Sequence, residues 1–391
     1  MSDAAVARAA KEARHLYEID IVRILTFLCV IAVHTTSYTA GSQEVGLYAF
    51  LGLVHFTREV FFALTGFVLI LSFLNRPVPM RKFWPRRFLL VGVPYLVWST
   101  IYFVSSSIRS PSGTFGDSLL RYLIDLLTGT AWYHLYFLLV TMQVYLLVPV
   151  VIWLIRKTRG HHLALLLAAA VFQLALTSYY MYSGSVPSWL GDNAQSFFFS
   201  YILFILIGAV AADHASELIS WVRSRRGRIG LFALAAAIVT LAVLAYQHFG
   251  LGYSLSRSVT PLQPVMMFWS IAVALGFLAI GGYWADRRVA GSRFSRLVDI
   301  ASDRSFGIFL SHPLVIWLAL LVGDGLLART VPRPWLLPVT YLIVITGAIL
   351  VTELARRTPV SLALTGRPYR RRKPTVPAAI PASETAGAPR N

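Results

Sequence analysis

Residues 19–39 read IDIVRILTFLCVIAVHTTSYT, a stretch whose apolar character is broken by Arg23 near one end and His34 near the other. About 20 apolar residues are what an α-helix needs to cross hydrocarbon. Ionisable side chains inside such a run are costly, so by default they mark function. The eleven steps from Arg23 to His34, at roughly 100° each, return to within about 20° of the start, so both side chains share one helix face, about 16 Å apart along the axis. Each residue also has a plainer reading: an arginine snorkelling to headgroups, and a histidine satisfied by a neighbouring helix.

The rest of the chain repeats this pattern. Of its 391 residues 57% are hydrophobic and 13% charged, about half the charged fraction of a soluble domain. Such a chain is a polytopic membrane protein. Its apolar runs are near 20 residues long without strict alternation, so the spans are helices rather than barrel strands, and the fold class is all-α. Ten spans are expected, at 19–39, 47–74, 88–108, 131–155, 163–182, 196–212, 229–249, 264–284, 305–323 and 337–355. With the N-terminus inside, 28 of the 35 lysines and arginines fall in cytoplasmic segments and 5 in outside loops. That bias puts both termini in the cytoplasm, and it explains the net charge of +18 by topology rather than by nucleic acid.

The domain plan is correspondingly simple. A cytoplasmic segment, 1–18, precedes a transmembrane domain, 19–355, and a basic, Pro/Ala-rich cytoplasmic tail, 356–391, is expected to lack fixed structure. The tail's run Arg370, Arg371, Arg372, Lys373 suits anionic lipid. No cleavable signal is expected. The stretch Asp117–Leu127, in the longest outside loop, is expected as a short interfacial helix. The single cysteine, Cys29, excludes a disulfide framework and a cysteine-rich metal cluster.

Further ionisable residues lie in the second span, which carries His55, Arg58 and Glu59. His55 and Glu59, four apart, share a face. By helical rise Glu59 falls between His34 and Arg23 in depth. Two readings stay open for it: it orients the imidazole of His34, or it neutralises Arg23 or Arg58. Gly66 on the same helix is read as a packing position. In the ninth span Pro313 follows His312 and frees a carbonyl one turn earlier. Rise from residue 305 places His312 near the depth of Arg23, where it either packs or lines a substrate cavity. In the first cytoplasmic loop Arg81, Lys82, Arg86 and Arg87 cluster before a helix, a setting that serves topology and equally a phosphate-bearing ligand. His15, His161, His162, His214 and His248 are read as solvated, and His134, beside Trp132 and Tyr133, as part of an aromatic interface belt.

Arg23-x10-His34, the segment Val60-Phe-Phe-Ala-Leu-Thr-Gly-Phe67, Arg86-Arg87 before Pro94, Trp132-Tyr-His-Leu-Tyr-Phe-Leu-Leu139, and Phe306-Gly-Ile-Phe-Leu-Ser-His312-Pro together resemble the membrane-bound acyltransferase 3 family over about residues 17–355. Thr65 stands where that family usually has serine, Phe309 where it often has tyrosine, and a second arginine after the Arg86–Arg87 pair is missing.

The resemblance implies transfer of an acyl group, often acetyl, from cytoplasmic acyl-CoA to a hydroxyl of a cell-envelope glycan, glycolipid or secondary metabolite, in a bacterial plasma membrane. On the mechanism expected for such a reaction, His34 is the general base, Glu59 or another buried acid fixes its tautomer, and Arg23 holds the donor or the developing negative charge. Arg81, Lys82, Arg86, Arg87, His55, Arg58 and His312 become binding residues. No metal or cofactor is implied beyond acyl-CoA, which is a substrate. The competing class is a transporter or exporter, which also uses intramembrane His, Glu and Arg.

Overall fold

The computed structural model describes residues 15–109, 113–322 and 325–369, which are helical with no strand among them. The principal helices are α1 (Tyr17–Thr39), α2 (Val45–Val54), α3 (Thr57–Asn75), α4 (Met80–Arg109), α5 (Phe115–Thr128), α6 (Tyr136–Lys157), α7 (His162–Tyr182), α8 (Ile202–Asp213), α9 (Ala215–Ser224), α10 (Arg226–Ala245), α11 (Pro264–Arg287), α12 (Arg293–Trp317) and α13 (Arg333–Arg356).

Among the described residues eight helices, counting α2 and α3 as one span, are long and apolar enough to cross a membrane, or nine if a bent pair counts as one more. Ten spans were expected, and two positions account for the difference. The sixth span is the bent pair, in which Phe198–Asp213 and Ala215–Ser224 meet at 94°. The ninth is α12, which begins at Arg293 and carries Asp303, Arg304 and His312, too polar for a lipid-facing span. Burial resolves that polarity, because Ser305, Ser311 and His312 all face the interior.

At the centre of the bundle, α1 packs against α11, α12 and α13 and against the α2–α3 span. α7 and α10 are the least buried spans, and their exposed Leu163, Val171, Leu231 and Ile238 give the bundle an apolar outer wall. The tightest crossing joins α3 to α8. A Cβ on Gly66 would collide with the Ile205 carbonyl and one on Gly208 with the Ala63 carbonyl, so glycine lets the two backbones touch, as small residues do between membrane helices.

Outside the spans, α5 begins at a capping box formed by Thr114 and Asp117 and buries none of its residues, so the expected helix over 117–127 is present. Part of the segment expected as a tail is ordered. Residues 361–365 form a helical turn packed beside α4, α12 and α13, and Gly366 abuts Phe306. The basic run 370–373 lies outside the described residues.

Candidate active site

Three irregularities in otherwise regular helices shape the site. First, helix geometry breaks at His55–Phe56 between α2 and α3. The His55 ring there donates from Nδ1 to the Val259 carbonyl at 2.6 Å, which leaves the Nε2 lone pair free. Second, Pro313 has no N–H for the Phe309 carbonyl four residues back. His312 supplies the missing donor, Nδ1–H to the Phe309 oxygen at 2.6 Å, so its own lone pair is also on Nε2, buried and without a partner. Third, the Tyr102 hydroxyl enters the next rung of α12, donating to the Leu310 carbonyl at 3.0 Å and accepting from the Leu314 amide at 3.1 Å. These bonds hold the wall of α12 open without orphaned backbone groups.

That wall faces a cavity of about 390 Å³ lined by His34, His55, His134, Arg58, Tyr133 and Tyr136, among others. The His34 ring contacts Tyr133 with centroids 4.5 Å apart and stacks on His312 at 5.3 Å. His134 meets His312 edge-on at 5.6 Å. Arg58 lies beside the hydroxyls of Tyr136 and Tyr201. Four imidazoles, a guanidinium and several phenols therefore converge at one place in the bundle, an arrangement suited to proton transfer and charge stabilisation.

Residues 16–353 match the acyltransferase 3 family model, described as an acyltransferase domain. The chain belongs to this family. It is a multi-pass membrane acyltransferase. No curated protein and no solved structure matches it.

The acyltransferase has a second, polar cavity of about 500 Å³, lined by Arg86, Leu89, Leu90, Asp303, Arg356, Ser361, Arg367 and Pro368. Asp303 accepts hydrogen bonds or ion pairs from Arg356 at 2.7 Å and from Arg304 and Arg367 at 3.2 Å each. Arg304 in turn pairs with Glu353. Arg23 lies on this side of the molecule. It donates to Ser302 at 3.0 Å, faces Asp20 at 3.8 Å and is within electrostatic reach of Asp303 and Arg367.

Several expectations change against this geometry. Arg23 and His34 share a helix, but Arg23 is anchored at the Ser302 end, and about 16 Å of helix rise keeps it from charge developing at His34. Among the described residues Glu59 makes no hydrogen bond to His34 and no ion pair with Arg23, but it lies within electrostatic reach of Arg58. It is buried, with Oε2 unpartnered. His312 is at the level of His34 rather than of Arg23, because α12 starts twelve residues before its apolar part and those turns add about 18 Å of rise. Of the four loop cations only Arg86 lines the polar cavity. Arg87 instead stacks over Phe83 and Tyr145, while Arg81 and Lys82 are exposed in the first turn of α4.

Residues missed in the sequence are equally informative. His134 is 2% exposed and lines the same cavity as His34, although its aromatic neighbours suggested an interface belt. Arg356 and Arg367 were counted with the cytoplasmic charges. His162, expected in solvent, is buried against His214.

Proposed function

We propose that this membrane acyltransferase moves an acyl group, acetyl in the simplest case, from acyl-CoA to a hydroxyl of a cell-envelope glycan, glycolipid or secondary metabolite, in a bacterial plasma membrane with both termini in the cytoplasm. The observation that carries this reading is His34: it lines a cavity large enough for a reacting hydroxyl and thioester, and its ring lies between Tyr133 and a second histidine.

In this mechanism the donor's phosphates rest among Arg86, Arg356 and Arg367, where guanidinium groups favour forked contacts with phosphate. The pantetheine arm runs along the face of α1 from Arg23 toward His34. His34 takes the proton from the acceptor hydroxyl as its oxygen attacks the thioester carbon. Arg58 faces the negative charge that gathers on the carbonyl oxygen. The tetrahedral intermediate collapses, the C–S bond breaks, and the imidazolium returns its proton to the leaving thiolate. His55 and the Tyr136 hydroxyl supply polar contacts for the acceptor.

His34→Ala in reconstituted membranes is the direct test, with transfer of a labelled acetyl group as the readout. Loss of a general base should lower turnover by about 10²–10⁴-fold with the protein still folded in the membrane. Unchanged transfer would reject His34 as the base. Uptake of the acceptor by sealed vesicles without any acyl donor would favour transport instead.

A further inference from the structure

At the opposite side of the bundle from the His34 cavity, three metal-ligating residues converge that the acyl-transfer reading does not use. His162 is the first residue of α7, Asp213 the last of α8, and His214 stands between α8 and α9 at the 94° bend. His162 Nδ1 and His214 Nε2 are 3.0 Å apart, and with an Asp213 carboxylate oxygen the three ligand atoms lie within 4.8 Å of one another. His162 is buried, and its Nε2–H donates to the Ile155 carbonyl at 2.9 Å. That bond fixes the ring with its Nδ1 lone pair aimed at His214, the arrangement by which metal-bound imidazoles are oriented through a backbone carbonyl.

From this we infer that His162, Asp213 and His214 form a binding site for a borderline divalent transition ion such as Zn²⁺. Two imidazoles and one carboxylate suit that class of ion, and tetrahedral coordination at about 2.0–2.1 Å sets ligand atoms roughly 3.3 Å apart, near the present imidazole spacing. The carboxylate closes the remaining distance by rotating about its side-chain bonds. Without metal, His214 Nε2–H donates to His162 Nδ1. With metal bound, both lone pairs go to the ion and His214 carries its proton on Nδ1.

Arg159 faces Asp213 at 3.9 Å with its side chain 65% exposed, so it moves aside without loss of buried contacts or remains as an outer partner of the carboxylate. Three protein ligands leave a coordination position to water on the exposed side of His214. The ion ties the turn between α6 and α7 to the bend between α8 and α9. It acts as a structural staple on the face assigned to the cytoplasm.

The test uses the untagged full-length chain in detergent, stripped with chelator and then titrated with Co²⁺, with Zn²⁺ loading followed by elemental analysis and thermal unfolding. The expected result is about one tightly bound ion per chain, visible Co²⁺ bands of tetrahedral intensity, and a higher unfolding temperature with Zn²⁺. His214 is exposed, so His214→Ala should fold, and losing one ligand should weaken binding by about a hundredfold or more, beyond the 10–100-fold typical of outer partners. Asp213→Asn gives a second and milder variant. Metal content no higher than in stripped protein, or equal Co²⁺ affinity in both variants and the parent chain, would overturn the site.

Discussion

His312 shows how one covalent feature reaches the chemistry. Pro313 removes an amide, the Phe309 carbonyl loses its partner, and the imidazole of His312 fills the vacancy, which fixes both its tautomer and its ring plane against His34. The proline and histidine were legible as a cavity-lining irregularity, but not that the ring would turn to the Phe309 carbonyl. Asparagine retains a donor near Nδ1 and lacks the distal nitrogen. His312→Asn is therefore expected to keep the unfolding temperature close to that of the parent while slowing acyl transfer about tenfold or more. His312→Phe abandons the carbonyl as well and should cost about 1–3 kcal/mol of stability, the penalty for a buried unpaired polar group. Equal transfer rates for His312→Asn and the parent would reduce His312 to packing. Glu59 marks the limit of residue-level reading, because depth along a helix gave no information about which way its carboxylate turns.

Helix existence was read far better than helix extent. Runs of apolar residues located α1, α4, α6, α7, α10, α11 and α13, since each must cover its own backbone in hydrocarbon and signals this along its full length. α12 opens with exposed Arg293, Arg296 and Asp299 and buries its histidine further on, so averaging hydropathy cut off its first three turns and displaced His312 by the same amount. The α3–α8 crossing was half visible. Gly66 stood out beside Thr65, whereas its partner Gly208 lay unremarked in a uniformly apolar helix. Because the contact at Gly208 is to backbone, no rotamer change can relieve a methyl group there. Gly208→Ala should destabilise the protein by about 1–3 kcal/mol or more. Thermal unfolding in detergent would show it, and a midpoint equal to the parent's would mean that the two helices separate more easily than their contact suggests.

At the scale of the molecule, two cavities face opposite ends of one bundle, a histidine-rich one by α1's C-terminus and an arginine-rich one where Arg86, Arg356 and Arg367 meet. Each was legible in part: His34, His55 and Arg58 stand out as ionisable breaks in apolar runs while His134, far along the chain, did not, and Arg86 read as a phosphate contact while Arg356 and Arg367, from distant segments, read as topology charges. The division suits a donor entering from the cytoplasm and an acceptor from the other side, an arrangement that requires the orientation set by the lysine and arginine bias. In a Cys29→Ala background, Ser185→Cys lies on the exposed turn after α7 and Ser224→Cys on the exposed end of α9. A membrane-impermeant thiol reagent should label position 185 in intact cells and position 224 only after permeabilisation. The reverse pattern would place the arginine cavity outside, where acyl-CoA cannot reach it, and the donor assignment would fail even with His34 intact.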